Sequence, residues 1–164
     1  MGRPIEGKLL RIYLNDHRAG AVAGVSLAKR TQANNRGTEL GGYLSGLVEE
    51  VEEDLRALED FMRVLQVPLN PFKSRAGWLA ERLARGKLNG QLRGYSPLSR
   101  LLELEGLGLA VEGKKRLWIS LKQIAENDPR LNSEQLEMLI ERADRQLGDL
   151  EARRRHAVES ALQR

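Results

Sequence analysis

Apolar residues recur at alternating spacings of three and four along four long stretches of the chain, and this pattern constrains the fold more than any other feature. It is clearest between about residues 38 and 66, where one heptad register runs unbroken through Leu44, Val48, Val51, Leu55, Leu58, Met62 and Leu65. The other stretches are 5–30, 97–127 and 133–162. Because residues with this spacing share one helical face, the sequence predicts an all-α bundle of four helices packed through their apolar sides.

Local signals mark the ends of these predicted helices. Thr38 followed by Glu39 is typical of an N-cap and a first helical turn, and Ser96 followed by Pro97 is another strong start signal. The segment 67–71 contains two prolines and ends the second helix. We therefore expect helix boundaries close to these residues.

The length of 164 residues predicts a single domain, 1–164, that buries a core without disulfides or metal. The absence of Cys excludes disulfides, zinc thiolates and thiol nucleophiles. The longest uncharged run, 19–28, has ten residues and is too short to cross a bilayer, and the N-terminal residues carry no apolar signal core. A cytoplasmic protein without membrane association is expected.

The stretch between the second and third predicted helices is about thirty residues long, which is too long for a tight hairpin. We expect a crossover along the bundle that carries a short extra helix. Its basic portion, 73–100, has seven Lys or Arg against one Glu. Basic residues interleaved with an aromatic side chain suit nucleic-acid binding, here through Lys73, Arg75, Trp78, Arg82, Arg85 and Lys87. A solvated amphipathic helix is the favoured alternative, because the rest of the chain is slightly acidic.

Ionisable residues also lie on or beside the apolar stripes, namely His17, Asp54, Glu105 and Glu112. Glu105 and Glu112 belong to a stripe of the third helix that we expect to face the core, formed by Leu98, Leu102, Glu105, Leu109 and Glu112. Buried polar groups need partners. One interpretation is a structural network in which His17 bonds Asp54 or Glu105, and Glu112 pairs with an arginine such as Arg18 or Arg142.

Four long helices with a long connector after the second resemble the ferritin-like superfamily, including poorly characterised bacterial ferritin-like four-helix bundle proteins. The segment 13–17, Tyr-Leu-Asn-Asp-His, and the segment 52–54, Glu-Glu-Asp, are similar to members of that group. The metal-binding branch takes one Glu from each of two helices and Glu-x-x-His from the other two. This chain has no Glu-x-x-His, and its fourth helix offers Glu141-x-x-Asp144 instead.

The resemblance therefore implies a bundle that lacks the full di-metal ligand set and acts as a non-catalytic structural or stress-associated protein. The alternative is a reduced metal site for iron, manganese or zinc, with iron-handling or oxidoreductase activity, formed by His17, Asp54, Glu105, Glu112 and Asp144. Small residues on the first helix and glycines on the third also suit close helix pairing, and we expect a homodimer.

Overall fold

The structure, a computed structural model, describes residues 7–70 and 94–163. The chain forms four helices over these residues: α1 (Gly7–Asn34), α2 (Glu39–Val64), α3 (Pro97–Ala125) and α4 (Ser133–Leu162). The described residues contain no strand. The all-α prediction is confirmed, and the helix bounds lie within four residues of those expected from the sequence.

Three helix starts are fixed by capping side chains, two of which, Thr38 and Ser96, the sequence indicated. The Thr38 hydroxyl accepts from the Gly41 backbone N–H, and the Ser96 hydroxyl accepts from Ser99 with Pro97 at the first helical position. The Asn132 side chain accepts from the N–H groups of the second and third residues of α4. Each cap satisfies a backbone donor that the helix itself leaves unpaired, and is worth about 1 kcal/mol.

Neighbouring helices run antiparallel. Tyr13 near the start of α1 bonds Ser120 near the end of α3, whereas Arg30 near the end of α1 bonds Glu103 near the start of α3. The side-chain pairs between α1 and α2, between α3 and α4, and between α2 and α4 follow the same opposed order. Helices α2 and α3 therefore lie diagonally opposite each other and point in the same direction.

Two buried asparagines, one in α1 and one just after it, hold the described ends of the connector. Asn15 donates to the Pro68 carbonyl and accepts from the Asn70 N–H. Asn35, just beyond the end of α1, donates to the hydroxyl of Tyr95. Twenty residues of helix separate the two asparagines, about 30 Å. The described ends of the connector therefore lie toward opposite ends of the bundle, while the predicted crossover and its short extra helix lie outside the described residues.

The core consists of two apolar clusters stacked along the bundle. One is centred on Leu14, Leu58, Trp118 and Leu136, and the other on Leu44, Leu104, Leu107, Ala143 and Leu150. Between them, along α2 and α3, lie the ionisable side chains of Asp54 and Lys114. The apolar core is thus interrupted midway by charge.

The face that α3 turns inward differs from the predicted one. The stripe from Leu102 to Glu112 faces outward, and Leu109 is 56% exposed, whereas Leu98 is half-buried against the second cluster. The core-facing residues are instead Leu101, Leu104, Leu107, Val111, Leu117, Trp118 and Leu121. Because α3 is apolar on nearly every side, its heptad pattern fits more than one inward face, and packing against α1 and α4 selects another.

None of the described helices is long and apolar enough to cross a membrane.

Candidate functional site

Asp54 on α2 is the most deeply buried carboxylate among the described residues, at 2% exposure. The ammonium group of Lys114 on α3 donates to its Oδ2 atom. Arg142 on α4 donates to its Oδ1 atom at 3.2 Å and to Glu53 Oε2 at 3.0 Å. Both oxygens of the buried carboxylate are therefore paired with cations, which offsets the large cost of burying its charge.

The network extends from Lys114 to the outer face between α2 and α4. Lys114 also donates to Gln146 Oε1 at 2.6 Å, and Gln146 donates to Glu50 Oε2 at 2.8 Å. Glu50 in turn pairs with Arg145 at 2.8 Å. Gln146 is itself buried at 2% exposure, so it relays hydrogen bonding between the deep pair and the surface pair.

Charge in this network balances, with Glu50, Glu53 and Asp54 facing three cations on α3 and α4. Burial nevertheless lowers the pKa of Lys114 from its ordinary value, and attraction to Asp54 opposes that shift. The pKa of Glu50 is also lowered: burial raises it, but the hydrogen bonds from Gln146 and Arg145 outweigh that effect. This network, which we call the central network (Glu50, Glu53, Asp54, Lys114, Arg142, Arg145 and Gln146), ties three helices together.

His17 does not take part in the central network. It is half-buried on α1 and packs edge-on against Tyr13, with 4.5 Å between the ring centroids. Burial lowers its pKa, which favours the neutral imidazole. The predicted partnership of His17 with Asp54 or Glu105 is not seen, because Lys114 and Arg142 already occupy the Asp54 carboxylate.

The other predicted ligands lie outside the core. Glu105 is exposed and lies 3.7 Å from Arg154, while Glu112 pairs along its own helix with Arg116. Asp144 is exposed and pairs with Lys115. The prediction that Glu105 and Glu112 face the core is wrong, because α3 turns the other side of its apolar surface inward.

The structure therefore does not bring the predicted metal ligands together. Within 7–70 and 94–163, no three His, Asp or Glu side chains are grouped so that they could hold a metal ion. The one predicted ligand in the deep interior, Asp54, accepts on one oxygen from an ammonium group and on the other from a guanidinium group. The donor set does not fit a divalent cation, and metal binding stays a prediction from the resemblance.

Sequence reasoning missed a second buried carboxylate, Glu103, which is 8% exposed. It accepts from the Tyr95 hydroxyl at 3.0 Å, from Arg30 at 3.1 Å and from Asn34 at 3.3 Å. Burial raises the pKa of Tyr95 to about 12. This cluster closes the bundle where α1 ends and α3 begins. Its sequence signal is weak, because Glu103 sits in a Leu-Glu-Leu-Glu run where Glu105 matches the predicted stripe better.

The six residues of the nucleic-acid alternative, Lys73, Arg75, Trp78, Arg82, Arg85 and Lys87, lie outside the described residues.

Comparison with known proteins identifies no relative: the chain matches no known protein family, no curated protein and no solved structure.

Proposed function

We propose that this chain is a non-catalytic, structural helical bundle of ferritin-like architecture, in which the central ionisable residues hold the helices in register. The observation that carries the proposal is the complete pairing of Asp54, whose two oxygens accept from Lys114 and Arg142. In a metal-binding bundle the inward carboxylates keep lone pairs free for the ion. Here Lys114 and Arg142, rather than a metal ion, lie against the inward carboxylate of Asp54.

The energetics of burial favour a register-fixing role. A buried ion pair adds little net stability compared with apolar residues, but losing one partner leaves an uncompensated charge at a cost of about 3–5 kcal/mol. Sliding α2 against α3 or α4 by one turn would move a helix about 5.4 Å and break these contacts. The network therefore penalises misaligned packings of the bundle more than it stabilises the correct one.

The ferritin-like architecture is supported by the antiparallel arrangement of neighbouring helices and by the described ends of the connector between α2 and α3, which lie toward opposite ends of the bundle. The chain departs from the metal-binding members of that superfamily in both missing Glu-x-x-His motifs. The stress association is a prediction that follows from the resemblance alone.

The proposal is tested by the metal content of untagged protein, measured by elemental mass spectrometry, and by thermal unfolding with added Fe²⁺, Mn²⁺ or Zn²⁺. We expect substoichiometric metal, no rise in the melting temperature on metal addition, and no fall with a chelator. Asp54→Asn should leave metal content unchanged while lowering stability. Asp60→Asn is the matched control, because Asp60 is an exposed acid on the same helix.

Near-stoichiometric metal that stabilises the protein, and that Asp54→Asn removes but Asp60→Asn does not, would overturn the proposal. Such a result would assign the buried carboxylate to a metal site whose ligands rearrange on binding. It would also restore the iron-handling or oxidoreductase alternative.

A further inference from the structure

The outward face of α3 carries a heptad stripe, of which only Leu98 at the N-terminal end packs against the described core. It consists of eight positions at alternating spacings of four and three, namely Leu98, Leu102, Glu105, Leu109, Glu112, Arg116, Ile119 and Gln123. All eight are exposed or partly exposed. Leu109 is 56% and Ile119 39% exposed. We call this surface the outer stripe; it is about 37 Å long.

The outer stripe is self-complementary when read in opposite directions. Positions equidistant from the midpoint between residues 110 and 111 pair Leu102 with Ile119 and Glu105 with Arg116. The same symmetry pairs Leu109 with Glu112 near the midpoint, and Leu98 with the uncharged Gln123 at the two ends. An apolar pair and an acid–base pair therefore coincide on each side of the midpoint.

We infer that a second copy of this chain docks on the outer stripe, with the two α3 helices antiparallel about a two-fold axis near residues 110–111. In that arrangement Glu105 of each copy faces Arg116 of the other, so the charge pair forms twice. Leu102 of each copy packs against Ile119 of the other. A strict four–three spacing is the pattern by which helices pair along a seam.

The surface beside the stripe permits close approach of two helices. Gly108 and Gly113 are equidistant from the same midpoint, and a Cβ added to either would meet no atom within 4 Å. The space at both positions therefore opens away from the rest of the bundle. Two α3 helices can approach there at the short end of the usual interaxial range of about 8–10 Å.

The charges of the stripe are available for an intermolecular pairing. The Glu105 carboxylate lies 3.7 Å from the Arg154 guanidinium group, and both side chains are about a third or more exposed. Glu112 and Arg116 form an exposed ion pair within one helix. Such pairs contribute about 0–1 kcal/mol each. These observations favour a second copy as the occupant, independently of the role of the central network.

Sedimentation equilibrium of the full chain tests the inference through a charge swap. Wild type should be a dimer at micromolar concentration. Glu105→Arg and Arg116→Glu each set like charges opposite each other twice and should weaken dimerisation about tenfold or more. The double variant should regain most of the wild-type affinity. Glu141→Arg on the exposed face of α4 is the matched control and should leave the dimer unchanged.

Two variants that place aspartate at exposed apolar positions test the same dimer interface. Leu109→Asp should shift the protein to monomer, whereas Met138→Asp, at a residue 62% exposed on α4, should not. Circular dichroism and thermal unfolding establish that each variant keeps its helical fold. A monomeric wild type would overturn the inference, as would a dimer that the Glu105, Arg116 and Leu109 variants leave intact.

Spin-label distances test the orientation. The chain has no Cys, so a label on Glu112→Cys or Gln123→Cys is the only one in each copy. The antiparallel dimer places the two labels at position 112 within about 20 Å of each other and those at position 123 about 40 Å apart. Short distances at both positions would indicate parallel helices and would contradict the inference.

Discussion

Lys114 on α3 and Asp54 on α2 form an ion pair across the diagonal of the bundle, between two helices whose described Cα atoms nowhere approach within 8 Å. Only a long side chain can bridge that gap. Lys114 reaches through the interior with 12% of its side chain exposed, while Asp54 is 2% exposed. The pair therefore joins the two hairpins, α1–α2 and α3–α4, at the level where the apolar core divides in two.

Removing the ammonium group should destabilise the bundle strongly. Lys114→Met leaves Asp54 buried with Arg142 as its remaining cation, so we expect the free energy of unfolding to fall by about 3 kcal/mol. Lys115→Met is the matched control on the same helix. Because Lys115 pairs with an Asp144 carboxylate that is 54% exposed, its loss should cost less than about 1 kcal/mol. Urea unfolding followed by circular dichroism measures both, and equal effects would argue against a special role for Lys114.

The lowered pKa of Lys114 predicts how stability changes with pH. Burial lowers the pKa below the ordinary value of 10.5, so in the window between the two values the unfolded chain binds more protons than the folded one. The free energy of unfolding should therefore rise with pH through that window and fall again as the pH is lowered. Lys114→Met should lack this rise. Urea unfolding between about pH 8 and pH 10 tests it, and parallel curves for wild type and variant would contradict it.

Two tyrosines should titrate late in the folded protein. Burial raises the pKa of both Tyr43 and Tyr95 to about 12. Since a free tyrosine ionises near pH 10, the folded state binds more protons between about pH 10 and pH 12, and stability should fall as pH rises through that range. Ultraviolet absorbance should show two late-titrating tyrosines. One of them should disappear in Tyr43→Phe and the other in Tyr95→Phe. A midpoint near pH 10 for both would contradict the burial seen here.

Tyr43→Phe and Tyr95→Phe should differ in their effect on stability at neutral pH, which provides an internal control. The Tyr43 hydroxyl is buried with no hydrogen-bond partner in the described part of the chain, and Arg153 stacks 3.6 Å from its ring centroid. Tyr43→Phe should therefore leave stability almost unchanged. Tyr95 donates to Glu103 and accepts from Asn35, so Tyr95→Phe should cost about 1–3 kcal/mol.

Adjacent glycines of α2 should respond in opposite ways to alanine. A Cβ on Gly41 would lie 2.1 Å from the Asn35 carbonyl oxygen, a backbone atom that cannot move aside without disturbing the end of α1. Gly41→Ala should cost about 2 kcal/mol or more. A Cβ on Gly42 meets nothing within 4 Å, so Gly42→Ala should stabilise the helix by about 0.5–1 kcal/mol. Thermal unfolding measures both, and equal shifts would contradict the close approach of Gly41.

The helices and their ends could be predicted from the sequence because their signals are local. Thr38, Ser96 and Asn132 cap helices by bonding backbone groups two or three residues away, which depends little on the rest of the fold. The heptad stripe of α2 is predicted in part. Leu44, Leu58, Met62 and Leu65 are buried, whereas Val48, Val51 and Leu55 are partly exposed, and the neighbouring column of Leu47, Asp54 and Phe61 is buried. Asp54 replaces an apolar residue between Leu47 and Phe61 in the sequence pattern of α2, and it is buried as that position implies.

The inward face of α3 and the partners of Asp54 could not be predicted in the same way. Leucine occupies nearly every side of α3, so the choice between Glu103 and Glu105 as the buried acid is made by packing against α1 and α4. Nothing in the sequence around Lys114 distinguishes it from a surface lysine. Its inward course depends on a carboxylate sixty residues away on a diagonal helix, which no local pattern records.

The structural role of the central network is tested most directly by a double-mutant cycle on Asp54→Asn and Lys114→Met, with stability measured by urea unfolding. Each single variant should be strongly destabilised, and the double variant should recover part of the loss, giving a coupling energy of about 1–3 kcal/mol. A parallel cycle on Lys115 and Asp144, whose carboxylate is 54% exposed, should give less than about 0.5 kcal/mol. Strictly additive effects of the Asp54 and Lys114 variants would contradict the account, because they would mean that the buried pair does not hold the bundle in register.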